Sequence, residues 1–166
     1  DEVTLSLCAE MLIVGGIEED RASARARCEN AVTSGKAAEI FGRMVQALGG
    51  PADFVDNYEG YLAKAPVVRS VSASGFVTGV NTRAIGNAII ELGGGRRRVG
   101  EKLDWSVGFS EIASIGTPLD HDTPLAVVHA ASDADADKAE RNLLAACRLG
   151  DSPPVDKPVI GDILTG

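Results

Sequence analysis

Two histidines, three cysteines, a glycine run ahead of three arginines and one alternating row of aspartates are the residues of this chain whose types and spacing could do chemistry. Gly93-Gly94-Gly95 followed by Arg96-Arg97-Arg98 would make a backbone nest for an oxyanion, with guanidinium groups completing the charge. Phosphate loops usually precede a helix, whereas this run follows a helical pattern. The plainer reading is therefore a helix C-cap leading into a tight turn with solvated arginines. Asp133, Asp135 and Asp137 alternate as the opening of a calcium loop does, but such a loop needs glycine at its sixth position and glutamate at its twelfth. Here those positions hold Lys138 and Leu144, so the row reads as the acidic start of a helix.

His121 falls in a turn rich in Pro and Asp, and His129 in a β-branched run where a half-buried imidazole is common. Neither has a serine or cysteine partner at a recognisable motif, so the sequence assigns no triad. Cys8, Cys28 and Cys147 form no CxxC pair and leave an odd one over, which speaks against a structural zinc site or a disulfide framework. They read as small core residues, reduced, in a cytoplasmic protein. Asp53, Asp56 and Tyr58 read as exposed turn residues. No catalytic, cofactor-binding or metal-binding residue is assigned.

Charge narrows the partners. A formal net charge of −8 argues against nucleic acid and anionic membrane, because binding phosphate backbones needs a basic footprint and the one arginine cluster is short. No run of about 18 apolar residues exists, and the N-terminus lacks the basic start and apolar core of a signal peptide. The chain opens at Asp1 within a helical pattern, which leads to the expectation that an upstream portion has been removed.

The elements that must position these groups follow from periodicity. Apolar spacings of three and four predict a helix from Val3 to Val14, closed at Gly15-Gly16, and a second from Asp20 to Thr33. Ser34 is a plausible N-cap for a third, on which Ile40, Phe41, Met44, Val45 and Leu48 form the strongest apolar stripe in the chain. From Pro51 to Pro66 the pattern has no sustained period and reads as a connector with at most one helical turn. Beyond Pro66, short β-prone runs broken by Gly75 and Gly79 predict strands and hairpins. A helix capped by Asn81 or Thr82 then ends at the three glycines. Trp105 to Phe109 and Leu125 to Ala130 are further strand candidates, Asp133 to Leu149 is a last helix, and the Pro-rich tail is extended. The expected domains are 1–65, helical; 66–150, mixed β/α; and 151–166, a tail.

Taken in order, Asn81-Thr-Arg-Ala-Ile-Gly, then Gly93-Gly-Gly-Arg-Arg, then Asp104-Trp-Ser-Val-Gly-Phe resemble the C-terminal module of thymidine phosphorylases and related pyrimidine nucleoside phosphorylases. Upstream, Cys8-Ala-Glu-Met-Leu and Ser34-Gly-Lys-Ala-Ala-Glu-Ile-Phe-Gly-Arg-Met resemble the helices that precede that module. The resemblance implies an α/β (α+β) fold, in which the helical end of a large α/β domain is followed by a hammerhead-like mixed β/α module. It implies a parent enzyme, a homodimeric pentosyltransferase, that reversibly phosphorolyses thymidine or deoxyuridine to the base and 2-deoxyribose 1-phosphate, with phosphate as co-substrate and no cofactor. Domain closure would bring the reactants together and exclude water.

The family's phosphate-loop motif and base-binding residues belong to an N-terminal portion not found in this sequence, so no catalytic residue carries over and the expected role is scaffolding. The expected partner is that N-terminal portion, which would bind nucleoside and phosphate. On this reading the first three helices should expose apolar surface. The alternative is a non-catalytic binding or carrier module of barrel-sandwich type, against which stands the lack of a lysine on the turns around Thr117-Pro118 and Asp122-Thr123.

Overall fold

A computed structural model describes residues 2–161. Asp1 and the end of the predicted tail, 162–166, lie outside the described residues. The described residues divide into two compact units, one holding 2–61 together with 157–161, the other Leu62–Asp156.

The first unit is helical. Helix α1 (Glu2–Val14) packs on α2 (Arg21–Thr33), which Asp20 caps by accepting from the backbone N–H groups of Ala22 and Ser23. Arg25 on α2 reaches across to both carboxylate oxygens of Glu2 at 2.8 and 2.7 Å, and the hydrogen bond holds Glu2 below the usual carboxylate range. Ser34 is not the cap of the third helix. It closes α2, and Gly35, in the left-handed region at φ 80°, opens α3 (Lys36–Ala47). The connector is also more ordered than its composition suggested: α4 (Phe54–Tyr61) forms, kinked at Asn57. Asp53 anchors it, accepting from Asn57 Nδ2 and Tyr61 Oη at 2.7 Å each, while Phe54 packs between Phe41 and Tyr61. Asp53 is thus a specific tether, although Asp53, Asp56 and Tyr58 are all exposed as expected.

Only Ala9 and Ala24 are buried in this unit among the described residues. Val3, Leu7, Met11 and Val14 line an exposed stripe on α1, and Ile40, Phe41, Met44 and Leu48 another on α3. Cys8, expected in a core, is exposed, because the inward face of α1 runs through Leu5, Ala9 and Leu12 and leaves Cys8 to one side.

The second unit is mixed α/β. Strand β1 (Val67–Val71), β2 (Gly75–Val80), α5 (Thr82–Leu92), β3 (Gly108–Ser110), β4 (Pro118–Leu119), β5 (Ala126–Ala130), α6 (Asp133–Ala146) and β6 (Cys147–Gly150) follow in order. They build two three-stranded antiparallel sheets, β1-β5-β3 and β4-β2-β6, and among the described residues no barrel forms, which corrects the barrel-sandwich alternative. The adjacent β1 and β2 do not pair as a hairpin; each joins a different sheet. The last helix stops earlier than its pattern suggested: Cys147 turns extended, and Cys147–Gly150 pairs with β2. Gly75 makes this closure possible, since a Cβ there would stand 2.9 Å from the Gly150 carbonyl oxygen and its φ is 100°.

The core of the unit lies between the sheets and the two helices. Val71, Val77, Leu125, Val128 and Leu143 are its largest fully buried side chains, with Ala136, Ala139 and Ala146 giving α6 a flat face that packs close. Alternation on β5 puts Ala126, Val128 and Ala130 inward and leaves Val127 and His129 half-buried on the other face. Burial pushes the Cys147 thiol up from its ordinary range. Among the described residues, no helix is long and apolar enough to cross a membrane.

Candidate functional site

The loop from Gly93 to Val107 is where cationic chemistry concentrates. Asn81 caps α5 by accepting from the Ala84 N–H, and at the other end Gly93, left-handed at φ 100°, donates back to the last turn. Gly94 N donates to Ile89 O at 3.0 Å, and Asp104 N donates to Gly93 O at 3.0 Å. The chain therefore leaves and returns at one point, the geometry of an Ω-loop. Downstream, Asp104 accepts from the hydroxyl and backbone N–H of Ser106, bonds that hold its carboxyl below the usual range.

Within the loop, Glu101 Oε2 accepts from the backbone N–H of Arg97 at 2.7 Å and of Arg98 at 3.3 Å. The Arg97 guanidinium turns the other way and donates to the Glu91 carbonyl oxygen at 3.3 Å. It lines an open polar depression of about 410 Å³ with Asn87, Ile90, Glu91 and Lys138. Arg96 and Arg98 make no ion pair among the described residues. Val99 is fully exposed and Trp105 is 79% exposed. The helix C-cap reading of the glycines holds, since Gly93 and Gly94 donate to Ile90 O and Ile89 O; the two successive N–H groups that converge on a carboxylate are those of Arg97 and Arg98, not of the glycines. Glu101 was not among the residues singled out in the sequence; its place three residues beyond Arg98 was the available signal.

Glu91 is a second residue the sequence reading missed. Its carboxylate accepts from Lys138 Nζ at 2.9 Å and Asn142 Nδ2 at 3.2 Å, tying α5 to α6, and the Lys138 hydrogen bond holds its pKa below the ordinary value. A depressed carboxylate pKa contributes stability that is present above the unfolded value, about 4.3 for Glu, and is lost as pH falls through the lower folded value. Thermal unfolding followed from about pH 6 down to about pH 3 should therefore show a falling midpoint, less steep in Glu91→Gln than in the natural sequence. Identical slopes would show that the pair is solvated rather than coupled.

The two histidines are not a pair. His121 is exposed and its Nδ1 lies 2.9 Å from the neighbouring Asp122 carboxylate, in a turn that Asp120 holds by accepting from the N–H groups of Asp122 and Thr123. His129 does have a serine partner, which no local motif revealed: Ser110 Oγ on β3 stands 2.7 Å from His129 Nε2 on β5. The antiparallel register, Gly108 opposite His129 and Ser110 opposite Val127, brings them together across 19 residues of chain. No side chain among the described residues is hydrogen-bonded to the other ring nitrogen, so the imidazole lacks the orienting acid of a triad.

Asp133, Asp135 and Asp137 open α6 as the helix-start reading has it. Ser132 caps the helix through Asp135 N, and Asp137 pairs with Arg69 at 2.7 Å. No group of three or more His, Cys, Asp or Glu side chains is gathered to hold a metal among the described residues.

Compared with known protein families, residues 76–150 match the pyrimidine nucleoside phosphorylase C-terminal domain. The match begins one residue into β2 and ends with the last residue of β6, so it takes in the whole of the β4-β2-β6 sheet apart from Gly75, with both helices of the unit.

Proposed function

Because residues 76–150 match the pyrimidine nucleoside phosphorylase C-terminal domain, we propose that the chain is the non-catalytic C-terminal part of a thymidine phosphorylase-like enzyme. The parent transfers a pentosyl group from thymidine or deoxyuridine to phosphate, reversibly and without a cofactor. The nucleoside and phosphate sites belong to an N-terminal portion, and the parent is a homodimer of the cytoplasm. Three free cysteines agree with a reducing compartment. The role of the present chain is to brace the phosphate-binding domain so that it closes as one body over the reactants.

The observation that carries this reading is the domain match on 76–150, and the exposed apolar stripes of α1 and α3 support it. Stripes at helical spacing that stay exposed among the described residues mark interface surface, and on this reading the N-terminal portion is the partner that covers them. Among the described residues no acid is hydrogen-bonded to His129 beside Ser110, and His121 pairs with Asp122 on an exposed turn without a serine.

The test is complementation. A phosphorylase truncated ahead of the region corresponding to this chain should lack thymidine phosphorolysis, followed as loss of thymidine absorbance, and should regain it when this chain is co-expressed. The chain by itself should show no turnover. Failure to restore activity, or turnover by the 166-residue chain alone, would overturn the scaffolding role.

A further inference from the structure

The Ω-loop binds an anion already, and that anion is its own. Two successive backbone N–H groups, those of Arg97 and Arg98, point at a single oxygen of Glu101 at 2.7 and 3.3 Å. Converging main-chain donors of this kind form an anion-binding concavity regardless of which anion sits there. The charge around it is unusual for the molecule. Residues 96–102 carry Arg96, Arg97, Arg98 and Lys102 against Glu101 alone, in a chain whose net charge is −8. Arg96 and Arg98 are exposed and make no ion pair among the described residues.

We propose that this loop is a binding site for a phosphoryl oxyanion, inorganic phosphate or a phosphate monoester, and that Glu101 is a displaceable internal occupant of it. A carboxylate fills the site with one negative charge and one oxygen. A phosphoryl group brings up to two charges and three acceptor oxygens, enough to take the two N–H groups and a guanidinium fork at once. Glu101 is exposed, so on release its carboxylate passes into water without leaving a buried charge behind. Because the loop is pinned at Gly93 and Asp104, exchange of one anion for the other needs only the side chain of Glu101 to move.

An internal ligand that fills a site nine-tenths of the time weakens apparent binding of an external one about tenfold. Amide chemical shifts of the intact chain, titrated at constant ionic strength with inorganic phosphate and separately with a pentose monophosphate, test the assignment. In the natural sequence the Arg97 and Arg98 amides should shift saturably. In Glu101→Ala, which removes the acceptor oxygen with the charge, the apparent Kd should fall about tenfold, and in Glu101→Ala with Arg98→Gln that gain should be lost. Equal affinity for the two ligands identifies the phosphate group as what is read, whereas tighter binding of the monoester extends the site to its sugar. Shifts that do not saturate, that follow chloride equally, or that are no stronger in Glu101→Ala would overturn the proposal and leave Glu101 as a loop staple. The unchanged amide spectrum of α6 reports that each variant is folded. Binding is read directly on the loop, so the result is independent of the phosphorolysis test.

Discussion

Prepared as Leu62–Asp156 alone, the chain should unfold in one cooperative transition, whereas 1–61 prepared alone should show none. Every residue of the hydrophobic core cluster, from Val71 to Ala146, belongs to the first of these segments, and both sheets close within it. The second segment buries only Ala9 and Ala24 among its described residues. Ordering a residue's backbone costs about 1–2 kcal/mol, and burying a large apolar side chain returns about 1.5–3 kcal/mol. Two alanines cannot offset the ordering of four helices. Helices of 8–13 residues are also too short to persist singly in water. Surface pairs such as Arg25 with Glu2 add little, being exposed and screened. Far-UV circular dichroism against temperature separates the two outcomes. A sharp melt from 1–61 would mean that the stripes of α1 and α3 are not a partner surface, and would remove that support for the scaffolding role.

Leu143→Ala should cost about 2–5 kcal/mol, while Leu144→Ala, one residue on, should cost about 0.5 kcal/mol. The two leucines share chemistry and helix; what differs is the direction in which α6 points them. Leu143 is 0% exposed in the core, and Leu144 is 38% exposed. Truncating the first leaves a cavity among packed side chains that cannot collapse around it. Truncating the second opens a site that water already reaches, so no closed cavity is left. The loss at Leu143 is a large fraction of the stability of any small domain, about 5–15 kcal/mol, so urea midpoints on the Leu62–Asp156 segment should resolve it easily. Equal shifts for the two variants would mean that the face of α6 has been assigned wrongly.

Much of the architecture could be read locally, and the reasons are local. Asp20, Asn81 and Ser132 cap helices because their side chains reach N–H groups two or three residues ahead. Gly93 ends α5 because glycine takes φ 100° without strain. The ordered motifs from Asn81 to Phe109 pointed to the pyrimidine nucleoside phosphorylase C-terminal module, and residues 76–150 match that domain.

Other features had no local signature. Cys147 to Gly150 carries a helical pattern on from α6, but β2 needed a second neighbour, and the ladder it offers outweighs weak helix propensity over four residues. The stretch from Asp53 to Tyr61 looked like a connector because its apolar residues keep no period; Asp53 orders it through side-chain bonds that no periodicity records. Ser110 and His129 meet only because strand register sets them on neighbouring strands, and Glu91 meets Lys138 only because two helices pack.

What the sequence determined by itself, then, was where several helices are capped, which residues are apolar enough to be buried, and which family module the ordered motifs resemble, since caps, periods and motifs act within a few residues of chain. The tertiary structure alone decided which strands pair, which stripes stay exposed among the described residues, and that the Arg97 and Arg98 N–H groups converge on Glu101, because each depends on residues far apart in sequence, or on a turn geometry, that only the folded chain sets.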